Sequence, residues 1–365
     1  MILTAVALGL SLGVAQPLQN RILIARSQDG LDWQRTNTVF CDSADVPDAG
    51  RLPDGRVFVY YQGLWTHTMD GIMVAVSPNG LSDWICYQVS ISGTSGWPGR
   101  PCDPDIILFG DTFRLYFTGD PTGDRLPETY SAISADGVNF TLEPGVRFEV
   151  TGHMVLDPSL LWTGETLQYF AGGGAPHANW HAHSSDGLNF VRQPDVMVDS
   201  LMFSNGLALD SGYRFYGFRN MPPGGIKSLF SADGGIWTLE PGWRLQVDST
   251  NPLEYRYVKD AAVVRTDSGF IMYYVTRKRE TALEDNYQSG RYGPRPSLVH
   301  GVLFLEVDSR QYSACRTGLL DISGRKILEL QPGPNDVSGL APGVYFVRSF
   351  ITNHESAVAK VIVAR

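Results

Sequence analysis

The feature that most limits what this chain can fold into is a unit of about fifty residues that recurs along it. The best copy occupies residues 156–190. It opens on Asp157-Pro158, continues as the apolar run Ser159-Leu160-Leu161-Trp162 and turns at Gly164-Glu165-Thr166. A second run, Leu167-Gln168-Tyr169-Phe170-Ala171, leads into a loop bearing glycine, histidine and tryptophan. The copy closes on Ser184-Ser185-Asp186-Gly187-Leu188-Asn189-Phe190. An Asp-Gly pair between two strand-like runs supplies the positive φ angles of a tight hairpin. Two such hairpins make one four-stranded sheet.

Related turns stand at Asp29-Gly30, Asn79-Gly80, Asp136-Gly137 and Asp233-Gly234. The first hairpin of each copy is led in turn by Asp48, Asp103, Asp157, Asn205 and Asp260, and each has a turn glycine after it: Gly55, Gly110, Gly164, Gly212 and Gly269. Five four-stranded units at this period predict an all-β chain, a five-bladed β-propeller over residues 21–305 followed by a small C-terminal β module. The repeats begin with an outer hairpin and end with an inner one. Residues 21–40 are therefore expected to complete the blade that Asp260 begins. The 365 residues, 43% hydrophobic and 18% charged, are enough for so large a core. The formal net charge of −9, without a basic stripe, argues against nucleic acid and anionic membrane as partners.

Residues 1–15 are apolar, end on Gly13-Val14-Ala15 and lack a basic start. They read as a secretory signal, the competing reading being a buried first strand, and no stretch is a transmembrane segment. Of the cysteines, Cys41, Cys86, Cys102 and Cys315, the pair Cys86 and Cys102 is the favoured bridge in an exported protein. No Cys-x-x-Cys is present, which removes a structural zinc site. Glu143 and Glu240 lie in matching Thr-Leu-Glu-Pro-Gly turns and read as scaffold at the rim. Residues 277–296 read as a loop and 296–308 as one more strand without a clear place.

The last residues, 309–365, carry Asp321-Ile322-Ser323-Gly324-Arg325-Lys326, then Leu340-Ala341-Pro342-Gly343-Val344-Tyr345-Phe346-Val347-Arg348, and a basic last strand. This stretch resembles the C-terminal sorting domain of type IX secretion, with its leading strands shortened. The resemblance implies export through that machinery to the cell surface or medium.

Asp-Pro ahead of an apolar strand, the Pro53-Asp54-Gly55-Arg56 hairpin with Tyr60-Tyr61 after it, and the Ser-x-Asp-Gly-x-x-Trp/Phe turns resemble the five-bladed glycoside hydrolases of the arabinanase, β-xylosidase, levansucrase and invertase superfamily. A sialidase-like chain is disfavoured because the Asp-box spacing and an arginine triad are missing. Glycoside hydrolysis needs two carboxyl groups across the scissile bond, one protonated and one ionised. The inner strands of a propeller start around one central pocket, so their leading aspartates converge there, although each can equally cap its own turn.

By the resemblance, Asp48 matches the general base that opens the blade-one strand, and Asp157 the aspartate that orients the base and tunes the acid. The family's acid is a glutamate near the start of blade four, where this chain has Asn205 and no glutamate. Glu254 is the replacement expected on the rim, beside two tyrosines and Arg256. Asp103, Asp260, Trp97, Arg100, His153, His177, Trp180, Asn205 and Arg256 are the expected sugar contacts, since aromatic faces stack on sugar rings and imidazoles, amides and guanidines bond hydroxyls. His177, His181 and His183 lack a metal-ligand spacing, and no metal or cofactor is assigned. Some relatives hold a central calcium, but nothing in this sequence identifies its ligands. The expected partner is an oligo- or polysaccharide. Two functions stand side by side: a secreted glycoside hydrolase relative with an altered general acid, or a non-catalytic glycan-binding or surface-display propeller.

Overall fold

Short apolar runs punctuated by glycine become antiparallel strands throughout, and no described residue is helical. The computed structural model describes residues 20–64, 71–173, 178–219, 224–278, 297–300, 302–305, 315–331, 333–351 and 358–364. The expected signal, His177 and most of the 277–296 loop lie outside the described residues.

The chain starts with β1 (Asn20–Ser27) and β2 (Gln34–Asp42). Blade one follows as β3 (Ala44–Arg51), β4 (Val57–Gly63), β5 (Gly71–Ser77) and β6 (Ile85–Gln88). The short β7 (Ser90–Ser92) then runs parallel to the outer strand of blade two and gives that blade a fifth strand. Blade two itself is β8 (Cys102–Phe109), β9 (Thr112–Gly119), β10 (Glu128–Ser134) and β11 (Asn139–Leu142). Blade three is β12 (Leu156–Trp162), β13 (Leu167–Gly172), β14 (Asn179–Ser184) and β15 (Val191–Val196). Blade four is β16 (Met202–Leu209), β17 (Gly212–Arg219), β18 (Gly225–Ser231) and β19 (Thr238–Leu239).

Blade five is built from both ends of the propeller. Its inner pair is β20 (Val258–Thr266) and β21 (Gly269–Arg277), and the sheet order is β2-β1-β21-β20. Asn20 pairs with Arg277 and Ser27 with Phe270. The N-terminal hairpin thus closes the ring as the order of repeats required, and the fold is a five-bladed β-propeller. Its core is not one mass but a wedge at each of the five blade interfaces. Tyr60, Tyr116, Phe170, Tyr216 and Tyr273 hold the same place on the second inner strand of each blade, opposite the residue where the ladder resumes, and are fully buried.

Two local readings change. The Asp-Gly turns are not two-residue hairpins with both residues at positive φ. Only the glycines are left-handed, Gly30 at 75° and Gly187 at 72°, in longer connections. The serine three residues ahead takes the glycine N–H, as Ser184 Oγ does from Gly187 at 2.9 Å, and the aspartate takes the next two N–H groups, as Asp186 Oδ1 does from Leu188 and Asn189 at 2.8 Å each. No disulfide joins Cys86 to Cys102: each is a reduced thiol, Cys86 packed at the blade-five/blade-one interface and Cys102 buried beside Asp103.

Beyond the propeller, β22 (Ser297–His300) pairs with β28 (Val358–Ala364), and β23 (Val302–Leu305) pairs with β26 (Gly333–Asp336). The strand expected over 296–308 therefore belongs to the C-terminal module, together with β24 (Cys315–Leu320), β25 (Lys326–Leu330) and β27 (Gly343–Ile351). Leu303, Leu319, Val337, Val347 and Val361 form its separate core.

Candidate functional site

Each inner strand begins with an irregularity that decides which side chains reach the channel mouth. In blades one, two, three and five the ladder skips two residues, between Asp45 and Asp48, Cys102 and Asp105, Leu156 and Ser159, and Lys259 and Ala262. The first skipped residue in each is left-handed: Val46 (φ 41°), Asp103 (52°), Asp157 (52°) and Asp260 (44°). In blade four only Ser204 is skipped, between Phe203 and Asn205. The mouth ring is therefore Val46, Asp103, Asp157, Ser204 and Asp260. Where the ladder resumes, a second ring lies deeper: Asp48, Asp105, Ser159, Asn205 and Ala262.

The deeper ring is a brace. Ile106 N–H of blade two donates to Asp48 Oδ2 at 2.8 Å, and Leu160 N–H of blade three to Asp105 Oδ2 at 3.1 Å. Val263 N–H of blade five donates to Asn205 Oδ1 at 2.9 Å. Asn205 Nδ2 donates to Asp48 Oδ1 at 2.9 Å, and since blades one and four are not neighbours this bond spans the channel. It closes the bottom of the mouth. Burial pushes the Asp48 carboxyl up to about 7, against the pull of its donors. Burial and the Asp48 charge push Asp105 well above the usual carboxylate range.

Asp48 and Asp157, expected as partners, thus sit in different rings. The blade-one counterpart of Asp157 is Val46. The proline was the better guide: Val46-Pro47-Asp48, Asp103-Pro104-Asp105 and Asp157-Pro158-Ser159 align on it, and counting from the leading aspartate mixes the two rings.

The mouth ring concentrates charge. Burial raises the Asp103 carboxyl, with Asp45 adding to the rise, although Thr118 and the Cys102 thiol, 3.5 Å from Oδ2, pull it down. Burial raises Asp157 far more, and the charges of Asp103, Asp260 and Asp45 add to it while Lys259 opposes. Asp260 is raised by burial to about 6, held down by Lys259. Lys259 Nζ pairs with Asp260 and donates to Asp45 Oδ1 at 2.9 Å, so Asp45 joins this group from the residue before Val46. Asp103 and Asp260 are buried and Asp157 is half-buried.

The remaining expected residues divide. Glu254 is fully buried, bonded to Arg35 at 2.5 and 3.1 Å, to the Tyr274 hydroxyl at 2.8 Å and to the Asp248 N–H at 2.9 Å. It is an ion pair in the wall between β2 and β21, away from the mouth ring. Arg256 is left-handed (φ 67°) and lies over the Tyr255 ring at 5.3 Å. Trp97 and Arg100 line a cleft of about 240 Å³ between blades one and two with Ile72, Gln88, Val89 and Thr94. Trp180 is core, its Nε1 donating to Met154 O at 3.1 Å and its ring covered by Arg192 at 4.6 Å. His153 is exposed with its ring edge on Trp180. His181 stacks on Phe170, its ring parallel at 4.7 Å. Sequence reading missed Lys259, whose signal is its place directly ahead of Asp260, and Asp45, which the register offset hid.

No family model matches this sequence, and no curated protein matches it either. Solved structures do resemble it. A thermostable family-43 glycoside hydrolase superposes with a TM-score of 0.52 at 13% identity, over 66% of this chain and 91% of that one. An α-L-arabinofuranosidase from Clostridium thermocellum gives 0.50 at 14% identity, over 88% and 94%. The RS223 β-xylosidase gives 0.50 at 13% identity, over 66% and 94%. At such identities the likeness is one of fold: this chain folds as these propeller glycoside hydrolases do.

Proposed function

We propose that this chain is a secreted, carbohydrate-active propeller of the glycoside hydrolase kind whose acid and base are drawn from Asp103, Asp157 and Asp260. The observation that carries this reading is the mouth ring. Three aspartates hold one backbone position in three blades, in a pocket whose floor is closed by the Asp48–Asn205 bond. Buried carboxyls that raise one another separate into a protonated and an ionised member, which is what hydrolysis of a glycosidic bond requires. The altered acid follows from chemistry: Asn205 has no carboxylic proton and is committed to the brace, while Glu254 is committed to Arg35.

The test is a screen of the propeller against aryl glycosides and plant and microbial polysaccharides, repeated with Asp157→Asn. Turnover should vanish in the variant while sugar binding stays nearly unchanged and the melting temperature at neutral pH does not fall, because no described residue donates a hydrogen bond to the Asp157 carboxyl. A second reading, a glycan-binding propeller without turnover, is favoured by Val46 and Ser204 in the two blades where the family resemblance calls for a base and an acid. Glycan binding with no turnover on any substrate would establish it.

Export is proposed on the sequence alone, from residues 1–15 and the sorting-like motifs after Asp321. Deleting residues 319–365 should leave a folded propeller retained in the cell envelope. Normal arrival of the truncated protein in the medium would remove the sorting role.

A further inference from the structure

The carboxyls at the mouth come from blades two, three and five, and Asp45 enters the group from blade one. Among the described residues, the cation standing inside this group is Lys259. Its ammonium bridges Asp260 of its own blade and Asp45 at 2.9 Å, and lies 6.0 Å from the Phe218 ring. Asp45 is fixed in turn. Asn20 Nδ2 donates to its Oδ2 at 2.6 Å, and the Tyr257 hydroxyl donates to Asn20 Oδ1 at 2.5 Å. The chain Tyr257–Asn20–Asp45–Lys259–Asp260 therefore crosses the seam between blades five and one and ends on one mouth carboxylate. Nothing comparable reaches Asp157, whose carboxyl takes no hydrogen bond from a described residue and opens to the channel.

We propose that Lys259 is a positioning residue whose ammonium holds Asp260 as the anionic carboxylate of the mouth, leaving the proton on Asp157. The charged groups that face Asp260 are Lys259 beside it, Asp45 from β3, Asp103 from β8 and Asp157 from β12. Three of them disfavour its negative charge, and one, in contact, favours it. Contact wins because Coulomb energy rises as separation falls, and most steeply where water is excluded. The directions agree: Asp157 is raised well above the ordinary range, while Asp260 stays near 6.

The consequence for chemistry rests on the hydrolase reading above. Asp157 gives its proton to the glycosidic oxygen as the bond to the anomeric carbon breaks. Water adds to that carbon and passes its proton to Asp260. The products are two hydroxyl compounds, and exchange with solvent returns the proton from Asp260 to Asp157. The ionised partner thus comes from blade five, made available by Lys259, and not from blade one, where Val46 stands.

The test is a ¹³C NMR titration of the full chain labelled at the aspartate carboxyl carbons, with Asp157→Asn and Asp260→Asn used for assignment. In the wild type Asp260 should ionise at lower pH than Asp157. Lys259→Met should raise the Asp260 midpoint by about one pH unit or more, and Lys259→Arg should restore it. Asp45→Asn is a second variant that does not depend on the lysine substitution folding. By leaving the ammonium to Asp260 alone, it should lower that midpoint. An Asp260 midpoint unmoved in Lys259→Met or Asp45→Asn, or one above that of Asp157, would overturn the inference. The titration needs no substrate. The expected midpoints together with no turnover on any glycan would support the Lys259 role while removing the hydrolase reading.

Discussion

A carboxylate sealed from solvent is tolerable only if donors occupy its lone pairs, and Glu254 has them from Arg35, Tyr274 and Asp248. Its environment is one of structure. Glu254→Gln keeps the shape and removes the charge, leaving a mostly buried Arg35 without its counter-ion. We expect a loss of about 3 kcal/mol in stability, with turnover per folded molecule unchanged. Chemical denaturation together with active-site titration would separate the two. A fall in turnover at full folding would return Glu254 to the chemistry. Two tyrosines and an arginine in the adjacent sequence suggested a rim acid, but the residue that claims Glu254 is Arg35, more than two hundred positions earlier. A partner so distant in sequence leaves no local signal.

Between blades, tyrosine hydroxyls act as latches on the Asp-Gly turns. Tyr60 donates to Gly137 O at 2.6 Å, Tyr116 to Gly187 O at 2.9 Å, Tyr216 to Gly30 O at 2.9 Å and Tyr273 to Gly80 O at 2.6 Å. Blade three departs from this: Phe170, without a hydroxyl, stands at the tyrosine's place, and the neighbouring Tyr169 faces blade two and pairs with Thr129 Oγ1 at 2.6 Å. In blades two and four an arginine–glutamate pair supports the same junction. Arg114 bonds Glu143 and Asp186 O, and Arg214 bonds Glu240 and Asp29 O. The Thr-Leu-Glu-Pro-Gly turns were legible as scaffold because they recur in step with the repeat. Tyr60→Phe should cost about 1–2 kcal/mol, since it leaves a buried carbonyl without its donor. Amide exchange should also be faster in the turn around Gly234 than in the four latched turns. Equal protection in all five would show that packing alone holds them.

For the whole molecule the buried aspartates set an unusual pH response. Asp48 and Asp260 ionise near 7 and 6 in the folded chain, and Asp103, Asp105 and Asp157 are raised as well. An unfolded chain loses those protons near 4, so between about 4 and 7 the folded state binds more protons and stability falls as pH rises. The turn aspartates, Asp29, Asp136, Asp186 and Asp233, are held low by backbone donors. They contribute stability above 4 that is lost as pH drops below it. The melting temperature should therefore peak near pH 4–5, and Asp105→Asn should flatten its decline toward pH 8. A melting temperature that climbs from pH 5 to 8 would contradict this. The ring of blades and its closure were legible because each repeat carries its own turn chemistry. The division of the aspartates was not, because one letter fills both rings and only a backbone irregularity separates them.

Pairing of Asn20 with Arg277 also sets the order in which the protein can be made. The first hairpin leaves its site of synthesis with Ile22, Leu23, Ile24 and Ala25 exposed, although all four are buried once the ring is complete. Their partners, from Phe270 to Arg277, arrive only after four whole blades. Contacts so distant in sequence make folding slow, since closing a long loop loses entropy before any pairing is gained. Until β21 is present the nascent chain is an open arc with an unpaired apolar edge, exposed to proteases and to aggregation and still slack enough to be threaded. Closure of the ring thus waits on that one strand, and a delay in its arrival keeps the entire propeller unfinished.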